Sequence, residues 1–193
     1  MSVESDSVDL VGDETVENVA RAAVFAALTG AFAYVSFQNP FSPAPVTLQV
    51  LGVFLAGIYL GPVWGGFSML LYVAAGAVGA PVFSGGSAGL GALLGPYGGY
   101  LWSYPVAAAL TGLLAHGTSA LTKPRDGSVP RLVAAMVAGT AVIYAGGTLG
   151  YAFVQDVGLY RSFLVTAVAF VPAEAFKIAA AVGITRTEDL GAA

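Results

Sequence analysis

The stretch Pro172-Ala-Glu-Ala-Phe-Lys177 places two opposite charges inside a segment that otherwise has the composition of a membrane-spanning helix. Ionisable side chains are costly at bilayer depth, so they usually face the protein interior and serve a function. The spacing of three residues puts Glu174 and Lys177 on one helical face, where they can bind one polar ligand together. The alternative is an ion pair that only holds the helix bundle together, and the residues alone leave both interpretations open.

The composition around this stretch is that of an integral membrane protein. The chain of 193 residues is 57% hydrophobic and 9% charged, whereas about a quarter of the residues in a soluble domain are charged. Between Arg21 and Lys123 there is no Lys, Arg, Asp or Glu, and this run is long enough for about four spans. Cysteine is absent, which excludes disulfides and thiolate metal sites. We expect no cofactor, metal ion or nucleic-acid partner.

The apolar segments predict an all-α membrane protein with six transmembrane helices. We expect an acidic solvated tail over residues 1–18, a transmembrane substrate-binding domain over 19–185 and a short tail over 186–193. A removable signal peptide is not expected, because the first residues are acidic and carry no basic group. The predicted helices cover residues 19–37, 46–60, 64–78, 97–117, 132–150 and 163–185.

Individual residues predict how these helices are arranged in the membrane. Gly61-Pro62 predicts a very short turn, so the second and third helices should be antiparallel neighbours. Trp102 and Tyr104 suit an aromatic belt at the membrane interface. Basic residues near the span ends lie on the side of the two termini, with the exception of Arg161, and the positive-inside rule then places both termini in the cytoplasm.

The segment 80–96, termed the glycine cap, is long and uncharged. Its glycines allow positive φ angles and close approach to a neighbour. Irregular backbone at this depth is tolerated only where it is buried in protein or lines a cavity. We therefore predict that the glycine cap and the proline loop 38–45 fold over a pocket that is open to the outside. The alternative, a mobile external loop, is less favoured because such loops usually carry charged residues.

The first helix has two ladders of small residues at a spacing of four. Small residues let helices approach closely in lipid, where the hydrophobic drive between helices is weak. We predict that Ala22, Ala26 and Gly30 form a docking surface for another protein. Packing of this face inside the chain is an equal alternative. The second ladder is Ala23, Ala27 and Ala31.

Several further motifs occur in a fixed order along the membrane portion. In this combination and spacing, the sequence resembles the BioY family, the biotin-specific S components of energy-coupling factor (ECF) transporters. The similarity covers about residues 20–184. The motifs are Pro45-Val-Thr-Leu-Gln49, Leu-Ala-Gly at 55–57, Leu60-Gly-Pro62, Leu71-Tyr72, Gly79-Ala-Pro-Val-Phe83 with the glycines after it, Leu94-Gly-Pro-Tyr-Gly-Gly-Tyr100 and Pro172-Ala-Glu-Ala-Phe-Lys177.

The resemblance implies a six-helix subunit of the cell membrane that captures biotin from outside. Such a subunit docks through helix 1 on a transmembrane T component, which is driven by two ABC-type ATPase subunits. The resemblance also implies that the first and third outer loops close over the ligand, with Glu174 and Lys177 among its contacts. The family more often has aspartate at position 174 and threonine where this chain has Tyr97.

The chemistry of biotin suggests the remaining candidate residues. Glu174 can accept the two ureido N–H groups in charge-assisted hydrogen bonds, and Lys177 can donate to the ureido oxygen or meet the tail carboxylate. Gln49 can both donate and accept. We expect the backbone N–H groups of Gly85, Gly86 and Ser87 to hold other acceptors of the ligand. The aromatic wall of the pocket is expected from Tyr72, Tyr100 and Tyr144.

Other classes of protein are also compatible with parts of the sequence. Gly85-Gly-Ser87-Ala-Gly89 matches the G-x-S-x-G of serine hydrolases, but His116 should lie at the opposite end of a helix. The same glycines lack the Gly-Lys-Ser/Thr of a P-loop, so we expect no ATP hydrolysis and no enzyme. Two intramembrane charges also fit an autonomous ion-coupled transporter, although no inverted repeat or broken helix is apparent. An S component for another vitamin is the nearest alternative.

Overall fold

The computed structural model describes residues 12–117 and 124–187. Its architecture is almost entirely helical, as predicted, and the strands β1 (Ser36–Phe37) and β2 (Val46–Thr47) form one small antiparallel pair. Lys123 and most of the two predicted tails lie outside the described residues. The helices are α1 (Asp13–Phe32), α2 (Gln49–Ala77), α3 (Leu90–Leu94), α4 (Gly98–His116), α5 (Val129–Gln155), α6 (Leu159–Thr166) and α7 (Val171–Thr187).

Helix α2 is a hairpin with two antiparallel arms. Gly61 has φ 76° and ψ −174°, a conformation that favours glycine, and Pro62 then starts the second arm. A side chain at Gly65 would lie 2.9 Å from the Cα of Gly57, so these residues face each other across the turn. The prediction of antiparallel neighbours joined at Gly61-Pro62 is confirmed.

Within the described part of the chain, three helical stretches are long and apolar enough to cross a membrane: Gln49–Ala77, Val129–Gln155 and Leu159–Thr187. The first reverses direction at Gly61, and the last consists of α6 and α7. Together with α1 and α4, these stretches make six principal helical segments. The predicted six-helix fold is therefore consistent with the structure.

Some helix ends differ from the prediction. Helix α1 begins at Asp13, inside the expected tail, and ends at Phe32 because β1 follows. The first arm of α2 begins at Gln49 instead of Val46, because Val46 pairs with Phe37 in the strand pair. Helix α5 continues to Gln155, beyond the predicted end at residue 150, and the left-handed residue Asp156 ends it.

The last predicted helix, 163–185, is interrupted. Ala167 has φ −124° and ψ −64°, and a 3-10 turn at Val168–Phe170 separates α6 from α7. Backbone carbonyls released by such an interruption need other donors. Tyr100 Oη donates to the carbonyl of Thr166, and Asn39 Nδ2 donates to that of Ala169 over 3.1 Å. The expectation that no helix is broken is therefore wrong.

The α1 face that was predicted to dock another protein packs against this chain. Ala22 is fully buried, and its carbonyl accepts a hydrogen bond from Ser68 Oγ over 2.7 Å. Gly30 is buried against Val82, with room for no side chain larger than hydrogen unless Val82 shifts. Ala26 is half-buried. The prediction of this ladder as a free docking surface is wrong, and the ladder of Ala23, Ala27 and Ala31 is the exposed one.

Candidate functional site

A cavity of about 540 Å³ lies where the glycine cap, the strand β2 and the start of α7 meet. Its volume falls within the range of roughly 300–1,000 Å³ that small-molecule sites occupy. Most of the wall is apolar, and Glu174 and Lys177 provide its charged groups among the described residues. A cavity of this kind suits a small ligand with an apolar body and a polar end.

Glu174 and Lys177 form an ion pair in the wall of this cavity. Lys177 Nζ lies 3.1 Å from Glu174 Oε2, and each side chain is only 5% exposed. Tyr144 Oη donates to the same carboxylate oxygen over 3.2 Å. The other oxygen, Oε1, is buried and has no hydrogen-bond partner within the described residues. Because an unsatisfied buried acceptor costs about 1–3 kcal/mol, this oxygen is suited to receive a donor from a ligand.

The interruption before α7 helps to stabilise the negative charge of Glu174. Helix α7 begins at Val171, and Glu174 lies in its first turn. The N-terminus of a helix carries a partial positive charge, which stabilises a nearby carboxylate. The break thus places a helix N-terminus beside a buried negative charge, which a continuous helix would not do.

Gln49 lines the cavity in a fixed orientation. Thr47 Oγ1 donates to Gln49 Oε1 over 2.8 Å, and Gln49 Nε2 donates to Tyr72 Oη over 2.5 Å. Tyr72 Oη in turn donates to the carbonyl of Val82 over 3.0 Å. Tyr72 is 1% exposed and lies behind Gln49, outside the cavity lining. Tyr72, predicted as a wall residue, thus lies one layer behind the lining and holds the amide of Gln49 in place.

The glycine cap contributes Gly85 and Ser87 to the cavity lining, whereas Gly86 does not line it. The three N–H groups predicted to hold a ligand already donate within the chain. Gly85 N donates to Ala33 O (3.5 Å), Gly86 N to Phe83 O (2.9 Å) and Ser87 N to Ser84 O (3.3 Å). In this structure the positive φ angles of Gly85 and Gly86 form a tight turn, and these three donors are used within the chain.

Aromatic rings line much of the wall. Tyr100 and Tyr144 line the cavity, as the sequence suggested. Tyr104 also lines it and is 4% exposed, so its assignment to the interfacial belt is wrong. Tyr97 and Phe170 also line the cavity and were not predicted to do so. The spacing of Tyr97, Tyr100 and Tyr104 along α4 was a usable signal, because residues three and four apart share a helical face.

The hydrolase alternative has no geometric support. Ser87 Oγ donates to Ser84 O over 3.0 Å, and His116 Nε2 lies 2.7 Å from the carbonyl of Ile58. His116 ends α4, roughly 28 Å from the start of that helix at about 1.5 Å per residue. Over residues 12–117 and 124–187, no cluster of three His, Cys, Asp or Glu side chains is placed to hold a metal ion.

Comparisons with known proteins agree on one family. The sequence profile of the BioY family matches residues 4–189. A probable biotin transporter BioY from Pyrococcus horikoshii is 37% identical over 166 residues, which cover 86% of this chain and 92% of that protein. The biotin transporter BioY of Thermotoga maritima is 36% identical over 152 residues, covering 79% and 82% of the two chains.

The fold also has a counterpart among solved structures. The S-component for biotin from an ECF-type ABC transporter matches with a TM-score of 0.78 and 24% sequence identity. The match covers 92% of this chain and 93% of the other. This similarity establishes a common fold.

Proposed function

The chain belongs to the BioY family, and from that premise we propose that it is the biotin-capture subunit of an ECF uptake system in the cell membrane. It is a transport protein and not an enzyme. Biotin would bind in the cavity under the proline loop and the glycine cap. The related proteins named as biotin transporters support this choice of ligand.

The observation that carries the proposal is the unpartnered oxygen of Glu174 beside Lys177. The ureido ring of biotin presents N–H donors next to a carbonyl acceptor. Glu174 Oε1 would accept an N–H group, and Lys177 would donate to the carbonyl. Both would be charge-assisted hydrogen bonds in a buried site, where such bonds are strong.

The remaining lining residues suit the rest of the ligand. We assign contacts with the apolar ring system to Tyr100, Tyr104 and Tyr144, whose rings face the cavity. Gln49 would offer a polar contact that Thr47 and Tyr72 hold in place. Gly85 and Ser87 would cover the ligand, while Gly86 shapes the turn of the cap.

The distribution of basic residues supports an outward-facing cavity and cytoplasmic termini. Arg131 Nε donates to the carbonyl of Leu114 over 2.8 Å, and Arg186 donates to that of Gly127. Both contacts lie at the end of the bundle that is opposite to the cavity. Under the positive-inside rule, that end belongs in the cytoplasm, so the multi-pass chain would present the cavity to the outside.

The energy for uptake would come from partner proteins. The sequence contains no P-loop, so a transmembrane T component with two ABC-type ATPase subunits would drive reorientation. We assign docking on the T component to the exposed ladder of Ala23, Ala27 and Ala31, because Ala22 and Gly30 are buried inside the chain.

One observation favours a second candidate, the autonomous ion-coupled transporter. The interrupted α6–α7 segment has the form of the broken helices found in secondary transporters. Uptake by liposomes that contain only this chain distinguishes the two. The ECF proposal predicts no uptake driven by a proton gradient, whereas the second candidate predicts such uptake without any ATPase.

The binding proposal is tested by purification from cells grown with biotin, followed by mass spectrometry of the released ligand. We expect about one biotin per wild-type chain and an empty Lys177→Ala variant. Arg131→Ala is the control, because it removes a cation that makes a hydrogen bond far from the cavity, to the carbonyl of Leu114. A folded Lys177→Ala variant that still carries biotin would contradict the proposed contact.

A further inference from the structure

The cavity has no net charge of its own. Lys177 is the one cation among the described residues that line it, and Glu174 balances that charge at 3.1 Å. Arg161, on α6, is exposed and does not line the cavity. The other polar lining groups are hydroxyls, such as those of Ser84 and Ser87, and the amide of Gln49.

In the proposed binding mode, Lys177 contacts the ureido end of the ligand. Lys177 Nζ lies 3.1 Å from Glu174 Oε2, so a ligand group that binds one of these side chains also lies close to the other. In biotin, the ureido carbonyl adjoins the N–H groups, whereas the carboxylate ends a flexible tail on the far side of the rings. If Glu174 accepts a ureido N–H, Lys177 is therefore occupied at the ring end and cannot also meet the carboxylate.

The donors of the glycine cap at residues 85–87 do not replace a cation as partners of the tail carboxylate. The N–H groups of Gly85, Gly86 and Ser87 donate to carbonyls of this chain. The hydroxyl of Ser87 donates to Ser84 O over 3.0 Å. A buried carboxylate without a charged or multiple-donor partner is strongly disfavoured, so the tail carboxylate would remain in contact with water.

From these contacts we infer that the cavity recognises the ureido ring and not the charge of the tail, so its ligands include biotin derivatives with neutral tails, such as amides and esters. This inference rests on the proposed function. A tail that stays hydrated in both the free and the bound state contributes little to the free energy of binding, whether it ends in a carboxylate or an amide. The affinity should therefore depend little on the ionisation of the tail.

The inference is tested by calorimetric titration of the full chain, purified in detergent, with biotin, biotinamide, biotin methyl ester and 2-iminobiotin. We expect the dissociation constants of the amide and the ester to lie within about threefold of that of biotin. A charge-assisted contact to the carboxylate would instead weaken the two neutral ligands by roughly 10- to 100-fold, and a loss of that size would overturn the inference. We expect 2-iminobiotin, which replaces the ureido carbonyl, to bind at least tenfold more weakly.

A variant separates the two possible roles of Lys177. Lys177→Met should weaken biotin and biotinamide by the same factor, because both share the ureido ring. A loss confined to biotin would show that Lys177 holds the carboxylate and would overturn the inference. Failure of wild-type protein to bind biotin at all would reject the proposed function itself, which is a different result from unequal binding of biotin and its amide.

Discussion

Gln49 and Tyr72 join the two arms of the α2 hairpin through a hydrogen bond of 2.5 Å at the floor of the cavity. The bond fixes the amide of Gln49, which lines the cavity, to a tyrosine that does not. Part of the binding surface is thus set by a residue that no ligand would touch.

Tyr72→Phe should therefore weaken biotin binding although the ring remains. The variant leaves Gln49 Nε2 and Val82 O without their hydroxyl partner, at a cost of about 1–3 kcal/mol in the free energy of unfolding. We expect an affinity about fivefold lower, measured by calorimetry, together with a lower melting temperature. Tyr34→Phe is the control, because it removes an exposed tyrosine-to-carbonyl bond outside the cavity. Equal affinities of the wild type and Tyr72→Phe would argue against a role in positioning Gln49.

The Glu174–Lys177 pair should show different effects on stability and binding. Lys177→Met leaves a buried carboxylate without its cation, which should lower the free energy of unfolding by about 3–5 kcal/mol. The double variant Glu174→Gln and Lys177→Met should recover most of that stability, because a neutral pair needs no counter-charge. We expect both variants to bind biotin much more weakly than the wild type, as measured with radiolabelled ligand. A stable double variant with wild-type affinity would mean that the pair is only structural.

The exposed ladder of α1 should control assembly without affecting binding. Replacing Ala23, Ala27 and Ala31 together by leucine should abolish co-purification with the T component and leave biotin affinity unchanged, because these side chains face away from the chain. Ala134→Leu with Ala141→Leu, on the exposed face of α5, is the matched control. Gly30→Leu should instead reduce folding, since Val82 occupies the space. Normal assembly of the triple variant would reject this face as the docking site.

Asn39 should slow the release of the ligand. Its side chain connects the proline loop to the carbonyl of Ala169, at the break before α7. Asn39→Ala removes this bond, which is worth about 1 kcal/mol, together with the local bond that Asn39 Oδ1 accepts from Phe41 N, so we expect dissociation about fivefold faster. The control is Ser42→Ala, whose lost bond to Ala44 N is local to the loop. Release rates are measured with a filter-binding chase. An unchanged rate in Asn39→Ala would show that the bond from Asn39 to Ala169 does not slow ligand release.

Gly76 should be intolerant of even one methyl group. A side chain there would overlap the ring of Phe83, which lines the cavity and packs edge-on against Tyr72 at 5.5 Å. We expect Gly76→Ala to cost about 1–3 kcal/mol in stability through overpacking and to displace Phe83. Gly183→Ala, at a helical glycine with open space, should be neutral or slightly stabilising. Thermal unfolding in detergent compares the two, and equal melting temperatures would contradict the packing argument.

The sequence predicted those features that depend on neighbouring residues. Gly61 and Pro62 specify the hairpin through their own backbone preferences. The contact between Glu174 and Lys177 follows from their spacing on one helix. These features need no information from distant parts of the chain.

Features that depend on remote partners were missed. The residues at the α6–α7 break are ordinary in a helix, and the donors that satisfy its free carbonyls, Tyr100 and Asn39, are far away in sequence. On α1 the two ladders of small residues look alike, and contacts with distant residues such as Ser68 and Val82 decide which one is buried. The bonds that the N–H groups of the glycine cap make within the chain were not predicted, because the turn that uses them is not visible in composition.

The register of the α2 hairpin also sets how far a captured molecule enters the bilayer. Tyr72, the partner of Gln49, lies five residues, or about 7.5 Å along the helix axis, before the end of α2 at Ala77, which faces outward in the proposed orientation. A vitamin seated on Gln49 would therefore already be below the outer rim of the bundle. Part of the journey across the bilayer would be completed by binding alone, before any nucleotide is consumed.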